Sequence, residues 1–253
     1  MKRAVVLTCA HASPETSNDR FTWLGKLLYD LKPDYVVDLG DGADMKSLNS
    51  YDTRKPEAIV SQSYEKDIDC YNDAMYRMRE VFIKQRRKRP SFFGFEGNHE
   101  ARIKTALSLD PRLEGKKFGI SFKHLNTNKW FDEYHEYENG APAIFNYDGV
   151  DYAHYVGAGN FGRPISGVHH AFGLIQARYR STTVGHSHKR GIYFKDAVNA
   201  IGLVAGCYKG SNESWAGQAN QDWFRGIVIK HNIEDGMYDP EFISMERIKR
   251  EYA

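Results

Sequence analysis

Cysteine is scarce in this sequence. Cys9, Cys70 and Cys207 are the three present in 253 residues. So odd and sparse a set argues against a disulfide framework and for a reducing, cytoplasmic setting. Long apolar runs are missing too: no stretch reaches the roughly 18 consecutive apolar residues of a membrane span, and no membrane partner is expected. Charge of one sign is also lacking. The formal net charge of +2 sets up no global field that would demand a nucleic-acid partner. After Met1-Lys2-Arg3 comes an apolar run too short for a leader and broken by Cys9-Ala10-His11; it reads as a strand. There is no internal repeat and no low-complexity segment. With 41% hydrophobic residues the chain can bury a sizeable core, and its length suits one domain over 1–253 with an insertion.

Residues 4–8 form a continuous apolar strand of the kind buried on both faces. The polar cluster Thr16-Ser17-Asn18-Asp19 reads as a helix start, and Phe21, Leu24, Leu27, Leu28 and Leu31 recur at helical spacing up to Pro33. Residues 35–39 are the next strand, which makes a strand–helix–strand unit and favours a parallel pair. Residues 47–63 are polar and irregular. A second helix is expected over 65–86, with Ile68, Tyr71, Met75, Met78 and Phe82 on one face. It runs into Lys84-Gln85-Arg86-Arg87-Lys88-Arg89, which reads as a solvated cationic helix end or, more sharply, as a contact for a phosphate backbone. A strand at 91–95 leads to Gly97-Asn98-His99-Glu100 and a short helix from Ala101. Residues 110–142 are aperiodic and rich in aromatics, Phe118, Phe122, Trp130, Phe131, Tyr134 and Tyr137 among them; they read as an insertion or lid beside the site. Asp148-Gly149 between 143–147 and 150–156 signals a hairpin. A helix over 166–179 follows, then strands at 181–184, 191–195, 200–205 and 226–229, and a charged helix or tail at 243–252.

Polar residues able to bind metal recur where these strands end. His11 follows the first strand, Gly40-Asp41 the second, Gly97-Asn98-His99-Glu100 the third and Gly185-His186-Ser187-His188 a later one. Loops at strand ends are where open α/β sheets place their chemistry. Two divalent ions about 3.5–4 Å apart can clamp a phosphoester and make a nucleophile near neutral pH. A carboxylate shared between them must bridge, which suits Asp41. Imidazoles and a neutral amide complete such a set without crowding negative charge where a phosphate must sit.

Taken together, Cys9-Ala10-His11, Gly40-Asp41-Gly42-Ala43-Asp44, Gly97-Asn98-His99-Glu100, His154 and Gly185-His186-Ser187-His188 resemble the motif series of the calcineurin-like metallophosphoesterases. Gly206-Cys207-Tyr208 and Trp223-Phe224-Arg225-Gly226 look like the small single-domain members common in bacteriophages. The resemblance implies an α/β fold, a four-layer α/β/β/α sandwich of two mixed sheets with helices outside. It implies two divalent metal ions, manganese first, with zinc, iron or nickel as alternatives. His11, Asp41 and His188 would hold one ion, and Asp41, Asn98, His154 and His186 the other. His99 would act as general acid for the leaving oxygen or as a positive partner of the phosphoryl group.

Cys9 departs from the pattern, which has Asp there. Its thiolate could ligate the first ion and favour zinc or iron over magnesium, or Cys9 is a small buried residue and that site is weakened. Asp44 is expected to cap a helix and Glu100 to start one. Arg102 suits phosphate binding. His169 and His170 compete with His154 for the lone-histidine position; His154, at the end of a strand-like run, is preferred. His124, His135 and His231 receive no role, and Cys70 a structural one. The implied activity is metal-dependent hydrolysis of a phosphoester, as phosphodiesterase or phosphatase. The run 86–89 and the aromatic-rich segment favour a nucleotide or nucleic-acid substrate, in the cytoplasm or, for a phage-encoded chain, the host cytoplasm. The alternative is a non-catalytic, metal-poor scaffold of the same fold. The sequence sets no oligomeric state.

Overall fold

The computed structural model describes residues 1–49, 62–115 and 119–253. Most of the expected irregular stretch 47–63, and Phe118, lie outside the described residues. The chain opens with β1 (Lys2–Leu7), α1 (Asp19–Leu31) and β2 (Tyr35–Asp38), followed by α2 (Tyr64–Lys84), β3 (Ser91–Phe95), α3 (Ala101–Leu109), α4 (Thr127–Trp130) and β4 (Glu133–His135). Strands β1, β2, β3 and β4 are parallel neighbours. The second half supplies β5 (Phe145–Tyr147), β6 (Val150–Ala153), the short pair β7 (Gly157–Ala158) and β8 (Arg163–Pro164), α5 (His170–Arg178), β9 (Thr182–Val184), β10 (Arg190–Lys195) and β11 (Ala200–Ala205). It closes with β12 (Gly226–Glu234), β13 (Met237–Ser244) and α6 (Met245–Tyr252).

Two mixed sheets result. One has six strands in the order β13-β12-β1-β2-β3-β4, the other five in the order β10-β11-β9-β6-β5. Alternation along the strands builds the layers. In β1, Val5 and Leu7 pack against α1 and α2, among Phe21, Leu24, Leu28, Met75 and Met78. Ala4 and Val6 face the other way and meet Tyr152, Ile201 and Leu203 of the second sheet. Leu174 of α5 covers the far side of that sheet with Val184 and Val204. The order is therefore helix, sheet, sheet, helix, as the motif resemblance implies.

The first two predicted helices match closely. The five residues expected on one face of α2 are all buried, and Ser63 caps it by accepting from the Lys66 backbone N–H. The Asp148-Gly149 hairpin has φ of +50° and +81°, the left-handed pair of a type I′ turn.

Four expectations are corrected. The strand expected at 226–229 continues to Glu234, turns at Asp235-Gly236 and returns as β13. Pro240 hides β13 in the sequence, and an edge strand tolerates proline. The helix expected over 166–179 begins only at His170. The described residues of 110–142 do not form a lid over the cavity: they supply edge strand β4 and bury Leu125, Trp130 and Phe131 in the helix-side core, and none of them lines the cavity of the site. The cationic run after α2 leads into the start of β3, the opposite end of the sheet from the motif loops. There Arg89 holds Asp132 with two hydrogen bonds and Arg87 donates to the Tyr29 carbonyl.

Candidate metal centre

The motif loops follow the C-terminal ends of parallel strands in both sheets. Cys9 and His11 follow β1, Asp41 and Asp44 follow β2, and Asn98 and His99 follow β3. His154 follows β6, and His186 and His188 follow β9. Close backbone approach makes this possible. A Cβ on Gly97 would lie 2.2 Å from the Asp41 backbone nitrogen and from its Oδ1, so glycine is required where these two loops touch. Glu100 latches them: its carboxylate accepts from the backbone N–H groups of Asp41, Gly97 and Ala43 at 3.0, 3.0 and 2.9 Å. The expectation that Glu100 merely starts a helix missed this bracing role. Five of the side chains concerned, on Cys9, His11, Asp41, His186 and His188, stand on residues with φ between +45° and +63°. That region disfavours non-glycine residues, and such strain concentrates at functional sites.

Two donor groups converge. In one, the Nε2 atoms of His11 and His188 lie 3.1 Å apart, and the Cys9 sulfur joins them within 4.8 Å. In the other, His154 Nε2 lies 3.0 Å from Asn98 Oδ1, 3.2 Å from His186 Nδ1 and 3.3 Å from Asp41 Oδ2, with Asn98 Oδ1 and His186 Nδ1 2.9 Å apart. Asp41 Oδ2 is also 4.0 Å from His11 Nε2, so this carboxylate stands between the groups. With metal–nitrogen bonds of about 2.1 Å, neighbouring ligand atoms of an octahedral ion sit about 3.0 Å apart. The donors therefore fit a divalent metal ion in spacing as well as in chemistry.

Their protonation suits the same use. Burial, helped by neighbouring imidazoles, lowers the His11 pKa to about 3, that of His186 to about 4 and that of His188 to about 2. All three stay neutral with a lone pair available near pH 7. Partners set which nitrogen that is. His11 Nδ1 donates to Asp44 Oδ1 at 2.9 Å and His154 Nδ1 to the Leu39 carbonyl at 2.7 Å, which leaves each Nε2 to the donor group. His154 differs in direction: burial lowers its pKa, but the charge and hydrogen bond of Asp41 outweigh burial and raise it. Burial likewise opposes ionisation of Asp41, and the surrounding imidazoles prevail, holding it well below the usual carboxylate range. Burial, then the Asp41 charge, pushes the Cys9 thiol up; its sulfur accepts from the His186 backbone N–H at 3.2 Å. Cys9 thus lies within reach of both donor groups.

Asp44 does not cap a helix. The short turn at Lys46–Leu48 has Met45 before it and no side-chain cap. Asp44 instead joins His11, His99 Nδ1 at 3.2 Å and Lys209 at 3.7 Å. The His11 and His99 bonds drive its carboxyl well below its ordinary value against the effect of burial. His99 Nδ1 donates to the Asp44 carbonyl at 2.6 Å, and its Nε2 meets Arg102 Nη2 at 3.2 Å. Asn98 thus turns toward the second donor group and His99 toward the first, flanked by Arg102. His169 and His170 sit at the start of α5 and share no hydrogen bond with either group.

A cavity of about 600 Å³ opens over the donors, and Lys46, Arg102, Lys209 and Trp215 help to line it. Lys46, Lys209 and Trp215 escaped the sequence reading, having no motif to mark them. Lys209 is reached only because β11 runs parallel to β9 and delivers the next residues to the same edge.

Motif loops at one edge of two facing mixed sheets are the arrangement expected from the resemblance. The layering and the loop placement agree with the fold that the motif resemblance implies. Among solved structures, the chain is similar to a conserved uncharacterized protein, a predicted phosphoesterase, of Streptococcus pneumoniae TIGR4 (9% identity, 97% of this chain and 90% of that chain, TM-score 0.39). It is similar to Yfce, a phosphoesterase from E. coli (12% identity, 96% and 99% covered, TM-score 0.39). It is also similar to wild-type Vps29 of Entamoeba histolytica complexed with zinc (10% identity, 96% and 99% covered, TM-score 0.37). No family model matches the sequence, and no curated protein matches it. The residues of the site itself carry the chemistry proposed below.

Proposed function

We propose that the protein hydrolyses phosphoesters with two divalent metal ions, acting on a nucleotide or nucleic acid. The observation that carries this reading is the pair of converging donor groups with Asp41 between them. Cys9, His11, Asp41 and His188 would hold one ion, and Asp41, Asn98, His154 and His186 the other. A sulfur and several imidazoles favour zinc, iron or manganese over magnesium. The position of the Cys9 sulfur among the donors supports a site that retains metal rather than a metal-poor one. When bound, such ions polarise the phosphoester and activate water.

The remaining steps belong to side chains. The cations of Arg102, Lys46 and Lys209 face the cavity and offset the charge of an entering phosphate. Arg102 is the forked donor suited to phosphoryl oxygens. As it turns from His99 Nε2 to the substrate, that nitrogen becomes free to carry a proton toward the leaving oxygen, while Nδ1 stays on the Asp44 carbonyl. Asp44 holds His11 and His99 in register.

The test is metal content beside hydrolysis of nitrophenyl mono- and diesters after manganese loading. About two equivalents of metal and metal-dependent turnover are expected. Asp41→Asn should abolish turnover and lower occupancy with the fold intact by circular dichroism. Absence of metal uptake in the wild type, or undiminished turnover in the variant, would overturn the two-metal reading.

A further inference from the structure

The rim of the cavity carries a feature that phosphoester chemistry leaves unused. Trp215 lines the cavity yet is 78% exposed. An indole is usually well buried, and here it stands at the mouth of a polar, cationic site. Its loop is built rather than loose. Asn220 ties it by accepting from the Glu213 backbone N–H at 2.9 Å and donating to the carbonyls of Glu213 at 2.7 Å and Gly217 at 2.9 Å. Glu213 anchors the loop to the site through Lys209, at 2.5 Å, and Lys209 reaches on to Asp44.

An aromatic row runs from the donors to this rim. The ring of His188 lies 5.0 Å from that of His11, Trp223 meets His188 edge-on at 4.5 Å, and Trp215 lies 6.3 Å from Trp223. A group bound through its phosphate at the donors would have His11 and His188 beside it and Trp215 as the flat surface at its far end, with Trp223 bridging His188 and Trp215 behind them. Ligand cavities span about 300–1,000 Å³, so the space suits a nucleotide. Every base has a π-face that an indole can stack on, whatever its sequence.

We infer that Trp215 is a stacking platform for the base of the substrate, so that this rim selects base-bearing phosphoesters over sugar phosphates. The inference rests on the phosphoesterase reading of the donors. Selection would be blind to base identity, since the platform reads a face and not an edge.

The test is calorimetric binding of two ligands the protein cannot hydrolyse, the phosphonate analogues of AMP and of ribose 5-phosphate, to the manganese-loaded protein. Stacking is worth about 1–3 kcal/mol per base, so the AMP analogue should bind about 5–150-fold tighter. Trp215→Ala should remove that advantage and leave the ribose analogue unchanged, and Trp215→Phe should restore most of it. Equal binding of the two ligands by the wild type, or equal weakening of both in Trp215→Ala, would overturn the platform. Nitrophenyl ester hydrolysis by the same wild-type preparation tests the underlying reading separately. Metal-dependent hydrolysis without base preference overturns the platform alone. Base preference without hydrolysis overturns the phosphoesterase reading alone.

Discussion

Changing Asp44 to alanine removes a carboxylate that touches no proposed metal position, yet the structure makes metal affinity depend on it. Its Oδ1 accepts from His11 Nδ1 at 2.9 Å, fixing the tautomer that turns Nε2 toward His188. Without it, His11 Nδ1 is buried and unpaired, and the ring can rotate or adopt the other tautomer. Removing such a carboxylate behind a ligating histidine typically weakens metal binding 10–100-fold, which is about 1.4–2.7 kcal/mol. His99 should be affected less, because the Asp44 backbone carbonyl keeps its Nδ1 at 2.6 Å. Lys209 retains Glu213. The loss should therefore fall on metal affinity more than on turnover at saturating metal. Asp44→Asn keeps an acceptor without the charge and should lie between wild type and alanine. Manganese titration by calorimetry, paired with turnover at rising manganese, reads both quantities. An alanine variant that folds and binds manganese as tightly as the wild type would refute the dependence of the His11 position on Asp44.

Two further predictions concern buried groups. Lys230 is fully buried between the sheets, its Nζ donating to Thr183 Oγ1 at 2.6 Å and to the Tyr152 hydroxyl at 3.2 Å. Burial lowers its pKa well below the ordinary value of 10.5. The unfolded chain thus binds a proton that the folded chain lacks, and stability is reduced between the depressed folded value and 10.5, recovering as pH rises toward 10.5. Lys230→Met should raise stability at pH 7 by about 1–4 kcal/mol, with a gain in Tm that shrinks toward pH 10.5; a lower Tm at pH 7 would show that the ammonium persists, held by the faces of Tyr152 and Tyr238. Cys9→Ser should weaken the first ion, while Cys9→Asp should preserve or raise turnover with manganese; wild-type behaviour of both variants across metals would reduce Cys9 to packing.

The motif loops were legible because each is short, follows a strand and carries its donors within a few residues. The strands β1, β2 and β3 were legible because burial on both faces writes a continuous apolar run. Strand β13 was not, because Pro240 and alternating charge disguise an edge strand. Strand β4 has three residues, one charged, and only pairing with β3 makes it a strand. Glu100 and Asp44 were assigned helix-end roles because local rules see only neighbours in sequence, while His11 lies 33 residues from Asp44 and Asp41 lies 59 from Glu100. Lys209 and Trp215 follow the last parallel strand of the second sheet, and their place depends on the sheets' mutual orientation, which no periodicity records. The cationic run at 86–89 was given a possible role in recognition; direction along α2 and β3 sends it to the far end of the sheet.

The donors are divided between the sheets. His11, Asp41 and Asn98 extend from the six-stranded sheet, and His154, His186 and His188 from the five-stranded one. Elsewhere, among the described residues, the facing layers meet mainly through apolar side chains, with Lys230 buried between them and polar contacts such as Lys2–Asp148 and His135–Tyr147 at the edges. At the motif edge the two layers interlock through polar atoms 2.9–3.3 Å apart. An ion seated there would act as a cross-link within the fold. Occupancy would then bind the opening of one sheet to the opening of the other, and the metal-loaded chain would unfold as one cooperative unit where the metal-free chain can loosen between its layers.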